Sequence, residues 1–284
     1  MKSLSDKVAN SAIGVFDSGV GGLSVMKEIA KLLPCEDIIY FADSIHCPYG
    51  ARSREEIQRL SHSIVRFLLD QGAKLIVVAC NTASAVALSH LRATFSVPIV
   101  GMEPAVKPAA LATRSGKVGV IATQVTFQGE LFARLIERFA ADVDVYTQVC
   151  PGLVERVETG LLNDPKTEEL LRTYLRPMLE AGIDSLVLGC THYPFLRRAI
   201  ERIVSPGVRV VDPSLAVARQ TKWVFEREGL GGCGKGVRIF YTSGDPQRFA
   251  KMVERLTGER SEVRGAQWKV FEDKQKLYPK SDLG

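Results

Sequence analysis

Two cysteines stand where apolar runs give way to small polar residues. Val77-Val-Ala-Cys80-Asn-Thr-Ala-Ser84 carries one, and Val187-Leu-Gly-Cys190-Thr-His192-Tyr-Pro194 carries the other. A thiol in that setting can be an inert apolar filler, a nucleophile, a metal ligand or an acid/base. Helix N-termini offer unpaired N–H groups and a positive dipole end, which hold carboxylates and favour thiolates. Two thiols on facing walls, each beside such a turn, meet the requirement for inverting a tetrahedral carbon. One removes a proton, and the other returns a proton from the opposite face.

Competing chemistries fit less well. Cys190 and His192 lie two apart and His46 and Cys47 are adjacent, but neither is a familiar zinc spacing. No third or fourth ligand is near in sequence, so no metal is expected. A cysteine hydrolase or transferase would also place a thiol beside a base, but it leaves the second cysteine without a task. A non-catalytic binding protein would keep the pocket and exchange no Cα proton.

The first apolar run ends in Asp17-Ser18-Gly19-Val20-Gly21-Gly22. This is neither GxGxxG with an acidic partner nor a GK[ST] loop, so a nucleotide cofactor is not expected. The glycines would let backbone approach a small ligand whose charged groups Asp17 and Ser18 reach, a carboxylate suiting an α-ammonium. Cys47-Pro48-Tyr49-Gly50 follows a strand end at Asp43, where loops commonly carry binding residues. Cys35, Cys47, Cys150 and Cys233 read as packing or loop thiols.

The elements that must position these residues alternate. Nine short Val- and Ile-rich runs recur: 13–16, 38–41, 75–79, 99–101, 118–121, 143–146, 186–188, 208–211 and 237–241. Amphipathic segments of helical period, such as 54–72 and 168–182, lie between most of them. Apolar runs without polar alternation suit strands covered on both faces, and strand–helix–strand order gives parallel sheets with right-handed crossovers. The fold class is therefore α/β. Three pairs of segments echo each other at a displacement of 105 to 110 residues: Ile13-Gly-Val-Phe-Asp-Ser with Val118-Gly-Val-Ile-Ala-Thr, Val77-Val-Ala-Cys-Asn-Thr with Val187-Leu-Gly-Cys-Thr-His, and Val100-Gly-Met-Glu-Pro with Val210-Val-Asp-Pro. A duplicated unit follows. Two pseudo-symmetric parallel-sheet domains are expected, residues 1–105 with 214–284 and residues 106–213, with the active site in the crevice at the strand C-termini.

Composition narrows the partners. A net charge of +5 is spread along the chain with no basic–aromatic tract, so no nucleic acid is expected. The N-terminus lacks the apolar core of a signal peptide and no run approaches membrane-spanning length. A cytoplasmic, reducing location and free thiols are expected.

DSGVGGLSV (17–25), YFADSIHCPYG (40–50), ACNTASA (79–85), GCTHYP (189–194) and VDPS (211–214) together resemble the glutamate racemases of the cofactor-independent amino-acid racemase superfamily. The resemblance runs from about residue 13 to about residue 215. It implies two α/β domains that trap glutamate between them, interconversion of its L and D forms to supply peptidoglycan synthesis, no cofactor and no metal, and commonly a homodimer. Cys80 and Cys190 match the two catalytic cysteines. Asp17-Ser18, Tyr49-Gly50, Asn81-Thr82 and Thr191-His192 match substrate-contact pairs, and Glu155 matches a carboxylate near the second cysteine. Thr126 is a further substrate-contact candidate. Asp17 is expected to assist at Cys80, and His192 with Glu155 to tune Cys190. A racemase of another small acidic amino acid, such as aspartate, is the nearest alternative. In the loop that usually reads Thr-Pro-Tyr-Gly, Cys47 replaces the threonine.

Overall fold

β1 (Ala12–Asp17), β2 (Asp37–Ala42) and β3 (Ala73–Val78) show why their sequences are apolar without alternation. Ile13, Val15, Ile38, Tyr40, Leu75 and Val77 face one hydrophobic cluster. Phe16, Ile39, Phe41, Ile76 and Val78 face another on the opposite side of the sheet. Period-2 geometry sends neighbouring side chains to opposite faces, so a strand with helices on both sides must be apolar throughout. The computed structural model describes residues 12–204, 206–231, 234–271 and 274–280.

Among these residues the strands form two sheets. One has seven strands in the order β11-β10-β9-β2-β1-β3-β4, and the other has four in the order β6-β5-β7-β8. Here β4 is Ile99–Gly101, β5 Lys117–Ala122, β6 Asp144–Val149, β7 Ser185–Gly189, β8 Arg209–Val211, β9 Arg238–Thr242, β10 Val263–Phe271 and β11 Lys274–Pro279. The order β2-β1-β3-β4 repeats as β6-β5-β7-β8, every pair parallel. Each of the nine expected runs overlaps a strand. The echo also has a packing reason at its glycines. A Cβ on Gly14 would stand 2.9 Å from Ala73 Cβ and Ile76 Cδ1, and one on Gly119 would stand 2.7 Å from Ile183 Cδ1. In both units the central strand lacks a side chain where its neighbours close over it.

Helices α1 (Leu23–Leu32), α10 (Ser214–Arg227) and α11 (Pro246–Thr257) place Met26, Val217 and Phe249 in the first cluster. α2 (Arg54–Asp70) and α3 (Asn81–Thr94) cover the opposite face. The first cluster also takes Ile121 and Leu188 from the second sheet and Tyr193 from the turn after β7, so one apolar body lies against both. The segments expected as helices at 54–72 and 168–182 become α2 and α8 (Pro165–Glu180).

The hairpin of β10 and β11 is a feature that periodicity did not reveal. β10 pairs with β9 in parallel and with β11 in antiparallel, carrying the first sheet beyond the duplicated unit. Its sequence, VRGAQWKVF, mixes charged and polar residues among the apolar ones and so lacks the apolar run that marked the others. Cys233 lies outside the described residues.

Candidate active site

The register of β1 on β3 pairs Val15 with Val77 and Phe16 with Val78, so the two strands release Asp17 and Cys80 side by side. Cys80 is the N-cap of α3, and its Sγ accepts the Ala83 N–H at 3.4 Å. Helix capping favours a thiolate, but burial and then the Asp17 charge outweigh it and push the Cys80 thiol well above the usual range. Asp17 is fully buried. Its carboxylate accepts the Gly19 N–H at 3.0 Å and the Thr191 hydroxyl at 3.3 Å. Burial pushes this carboxyl up too, against the opposing pull of the His192 charge and the Gly19 N–H. Ser18, next along the chain, is buried with it.

Asn81 opens α3 with a side chain only 3% exposed. Neither its Oδ1 nor its Nδ2 has a hydrogen-bond partner among the described residues. A buried amide without partners is costly, on the order of 1–3 kcal/mol, and such a group in a crevice fits a ligand-binding role. As first-turn amides, the backbone N–H groups of Asn81 and Thr82 have no intrahelical acceptor either. Thr82 Oγ1 lies 2.9 Å from Thr123 Oγ1 and 3.4 Å from Thr126 Oγ1, and Thr123 and Thr126 are 2.9 Å apart. This hydroxyl triangle joins α3 to α5 (Gln124–Gln128), which follows the second sheet's β5. It brings Thr126 beside the paired motifs and adds Thr123. The sequence carried a signal for Thr123, since the echo of 13–18 in 118–123 aligns it with Ser18.

Cys190 leaves β7 as Cys80 leaves β3. Its Sγ lies 3.7 Å from His192 Nδ1, and His192 Nε2 lies 2.6 Å from Glu158 Oε1. Burial acts to pull the imidazole down, but hydrogen bonds to Cys190, Cys47 and Glu158 overcome it and raise His192 well above its usual value. Burial likewise pushes Glu158 up, and His192 more than offsets it, holding the carboxyl below the usual range. A Glu⁻–His⁺ pair therefore stands behind Cys190.

The carboxylate at His192 is Glu158 and not Glu155, which corrects the sequence expectation. Both lie on α7 (Leu153–Glu158), a helix that buries Leu153, Val154 and Val157. At 100° per residue, Glu158 falls closer to that inward face, while Glu155 points to solvent and is exposed. Applied to the helix itself, the periodicity would have chosen correctly.

Cys47 is likewise not a mere packing thiol. Its Sγ lies 3.5 Å from Glu158 Oε1, and burial, with the Glu158 charge working against the His192 hydrogen bond, pushes it up to about 12. Glu158 Oε1 also accepts the Val20 N–H at 2.8 Å. Donor atoms of Cys47, Glu158 and His192 all lie within 4.8 Å of one another, a third ligand that no sequence spacing displayed.

The glycine turn serves the approach of the two walls. A Cβ on Gly21 would stand 2.5 Å from His192 Nδ1 and Thr191 Oγ1, and one on Gly19 would strike Glu158. Gly50 meets Thr123 in the same way, its Cβ position 2.9 Å from the Thr123 Cβ. Tyr49 is held from behind, its hydroxyl donating to Asp43 Oδ2 at 2.7 Å. The buried Asp43 also accepts from Ser243 Oγ at 2.8 Å and from Trp268 Nε1 at 3.0 Å, and His46 Nδ1 lies 2.9 Å away. The C-terminal hairpin thus reaches the loop that carries Tyr49.

The duplicated α/β unit thus carries a thiol at each of two equivalent strand ends, Cys80 after β3 and Cys190 after β7, with the start of α3 beside Cys80. The family model of Asp/Glu/hydantoin racemases matches residues 13–221; the chain belongs to that family and is an amino-acid racemase. Among its relatives, the glutamate racemase of Herpetosiphon aurantiacus is 52% identical over 86% of this chain and 97% of its own length. Escherichia coli glutamate racemase, solved with L-glutamate and the activator UDP-MurNAc-Ala, superposes with a TM-score of 0.81 at 34% identity, covering 94% of this chain and 99% of its own. Francisella tularensis glutamate racemase, solved with D-glutamate, gives 0.78 at 33% identity, covering 89% and 96%. Among the described residues, no helix is long and apolar enough to cross a membrane.

Proposed function

We propose that the protein interconverts L- and D-glutamate by a two-thiol, cofactor-independent proton transfer at Cα, with residues 106–213 and the rest of the chain as two domains around the site. The observation that carries this reading is the pairing of Cys80 and Cys190 at equivalent strand ends, with the unpartnered Asn81 amide beside Cys80 at the start of α3. The substrate class is supported by relatives near 50% identity that are glutamate racemases.

The α-proton of an amino acid is far less acidic than a thiol, so charge developing on the carboxylate needs stabilisation. Asn81, the first-turn amides of α3 and the hydroxyls of Thr82 and Thr191 are the donors for it; one such donor contributes about 3 kcal/mol. Asp17 holds the ammonium, which keeps the α-carbon acidic. The two thiols then act in opposite roles. Cys80, held as a thiol by burial and Asp17, is the acid that returns a proton. Cys190 is the base, and His192 with Glu158 offers its proton a neighbouring resting place. The reverse direction exchanges the roles. Close packing of Gly19 and Gly21 on the far wall excludes water and strengthens these interactions. D-glutamate for peptidoglycan synthesis, a cytoplasmic location and a homodimer belong to the same reading.

The test is exchange in D2O. L-glutamate should gain deuterium at Cα while its circular dichroism decays toward the racemate, with aspartate turned over far more slowly. No deuterium incorporation from either amino acid would overturn the reading, and equal rates would overturn its substrate assignment.

A further inference from the structure

The mechanism leaves one half-buried thiol at the site without a task. Cys47 stands where the family's loop usually has a threonine, and it faces a carboxylate and an imidazole from the other wall. We propose that Cys47, Glu158 and His192 form an inhibitory site for a thiophilic divalent cation, Zn²⁺ above all, that clasps the two walls together.

The donor set and its geometry favour such an ion. One sulfur, one imidazole nitrogen and one carboxylate oxygen suit zinc, whereas calcium and magnesium take oxygen ligands. Zinc bond lengths place tetrahedral donors about 3.3–3.8 Å apart. Cys47 Sγ and Glu158 Oε1 already stand at 3.5 Å, and all three donor atoms lie within 4.8 Å. The hydrogen bond of 2.6 Å between His192 Nε2 and Glu158 Oε1 would widen by about 1 Å. Three protein ligands leave a fourth position for water, as in zinc sites that are not closed.

Protons balance simply. The metal replaces the Cys47 thiol proton and the His192 Nε2 proton, both of which leave to solvent, and no redox change occurs. His192 keeps its Nδ1 proton toward Cys190. By joining Cys47 to Glu158 and His192 the ion holds the two walls together, and substrate can neither enter nor leave. Inhibition rests on the proposed racemisation; binding does not.

The experiment titrates the chelator-stripped protein with Zn²⁺ and, in parallel, with Co²⁺. Expected are one ion bound per chain, a thiolate-to-cobalt charge-transfer absorption, and loss of racemisation in step with Zn²⁺ binding, reversed by EDTA. Cys47→Thr should lose the charge-transfer band and weaken Zn²⁺ binding at least ~10-fold, with Cys47→Ser as a second variant and circular dichroism confirming the fold of both. Cys190→Ala should keep the band. No binding at micromolar metal, a cobalt adduct without a thiolate band, or a band that survives in Cys47→Thr and vanishes in Cys190→Ala would each overturn the site. Binding with these signatures but without inhibition would overturn only its inhibitory role.

Discussion

Glu158 Oε1 and His192 Nε2 lie 2.6 Å apart, and the other nitrogen of that imidazole lies 3.7 Å from Cys190 Sγ. The pair comes from α7 and from the turn after β7, and the same carboxylate oxygen accepts the Val20 N–H from the opposite wall. One carboxylate thus orients the imidazole beside the Cys190 thiol and ties the two walls to each other.

This separates two glutamates one helical turn apart. Glu158→Gln should lower kcat by about 10²-fold, whereas Glu155→Gln should leave kcat and KM near the parent values. Steady-state racemisation of the two variants decides it; equal losses would remove Glu158 from the relay.

The pair also predicts a pH signature in stability. His192 is raised above 6.5, so its contribution is complete below that value and fades as pH rises through the folded-state value. Glu158 is depressed below 4.5, so its contribution is present above that value and fades as pH falls through the folded-state value. Both act fully between 4.5 and 6.5. The stability deficit of Glu158→Gln, about 3 kcal/mol, should peak in that window and shrink on either side, as followed by Tm against pH.

Asp17 should show the opposite sign. Its folded-state pKa is raised above 3.8, so the stability linked to its protonation is present below 3.8 and lost as pH rises through the folded value. Asp17→Asn has no such loss. At neutral pH it should match or exceed the parent in Tm while racemisation falls by about 10²-fold. A less stable variant with normal turnover would contradict both the burial cost and the role.

Replacing either thiol tests the division of labour. Cys80→Ala and Cys190→Ala should each abolish racemisation, with at least a ~10²-fold loss. A hydrolase or transferase would tolerate Cys190→Ala and accumulate a covalent acyl-enzyme, which mass spectrometry of the intact chain would reveal. Near-normal turnover in either variant would sink the two-thiol mechanism.

Asp43 holds the Tyr49 hydroxyl while accepting from Ser243 and Trp268. Trp268→Phe removes one N–H and leaves most of the ring contact with His46, now 5.2 Å between centroids. KM should rise a few-fold with kcat nearly unchanged. Asp43→Asn should raise KM further, because it weakens acceptance from several donors at once. A fall in kcat alone would argue that the loop acts on the chemistry and not on binding.

Much of this was legible in residue order because both signals are local. An unbroken apolar run means a strand covered on both faces, and duplication repeats that run with its glycine and its terminal thiol. Cys80, Cys190 and the pairs Asn81-Thr82 and Thr191-His192 follow from their places at strand ends. Residue order also held unused clues to Glu158, through helical phase, and to Thr123, through the echo. Other relations depend on distance across the crevice. The approach of Cys47 to Glu158, the closure of Gly21 on His192, the hydroxyl triangle and the reach of Trp268 to Asp43 join residues from 41 to 225 positions apart. A strand or helix pattern records which face of its own element a side chain occupies. Which foreign side chain meets that face is decided only when the sheets pack, and that packing placed a carboxylate, an imidazole and a spare thiol at one point.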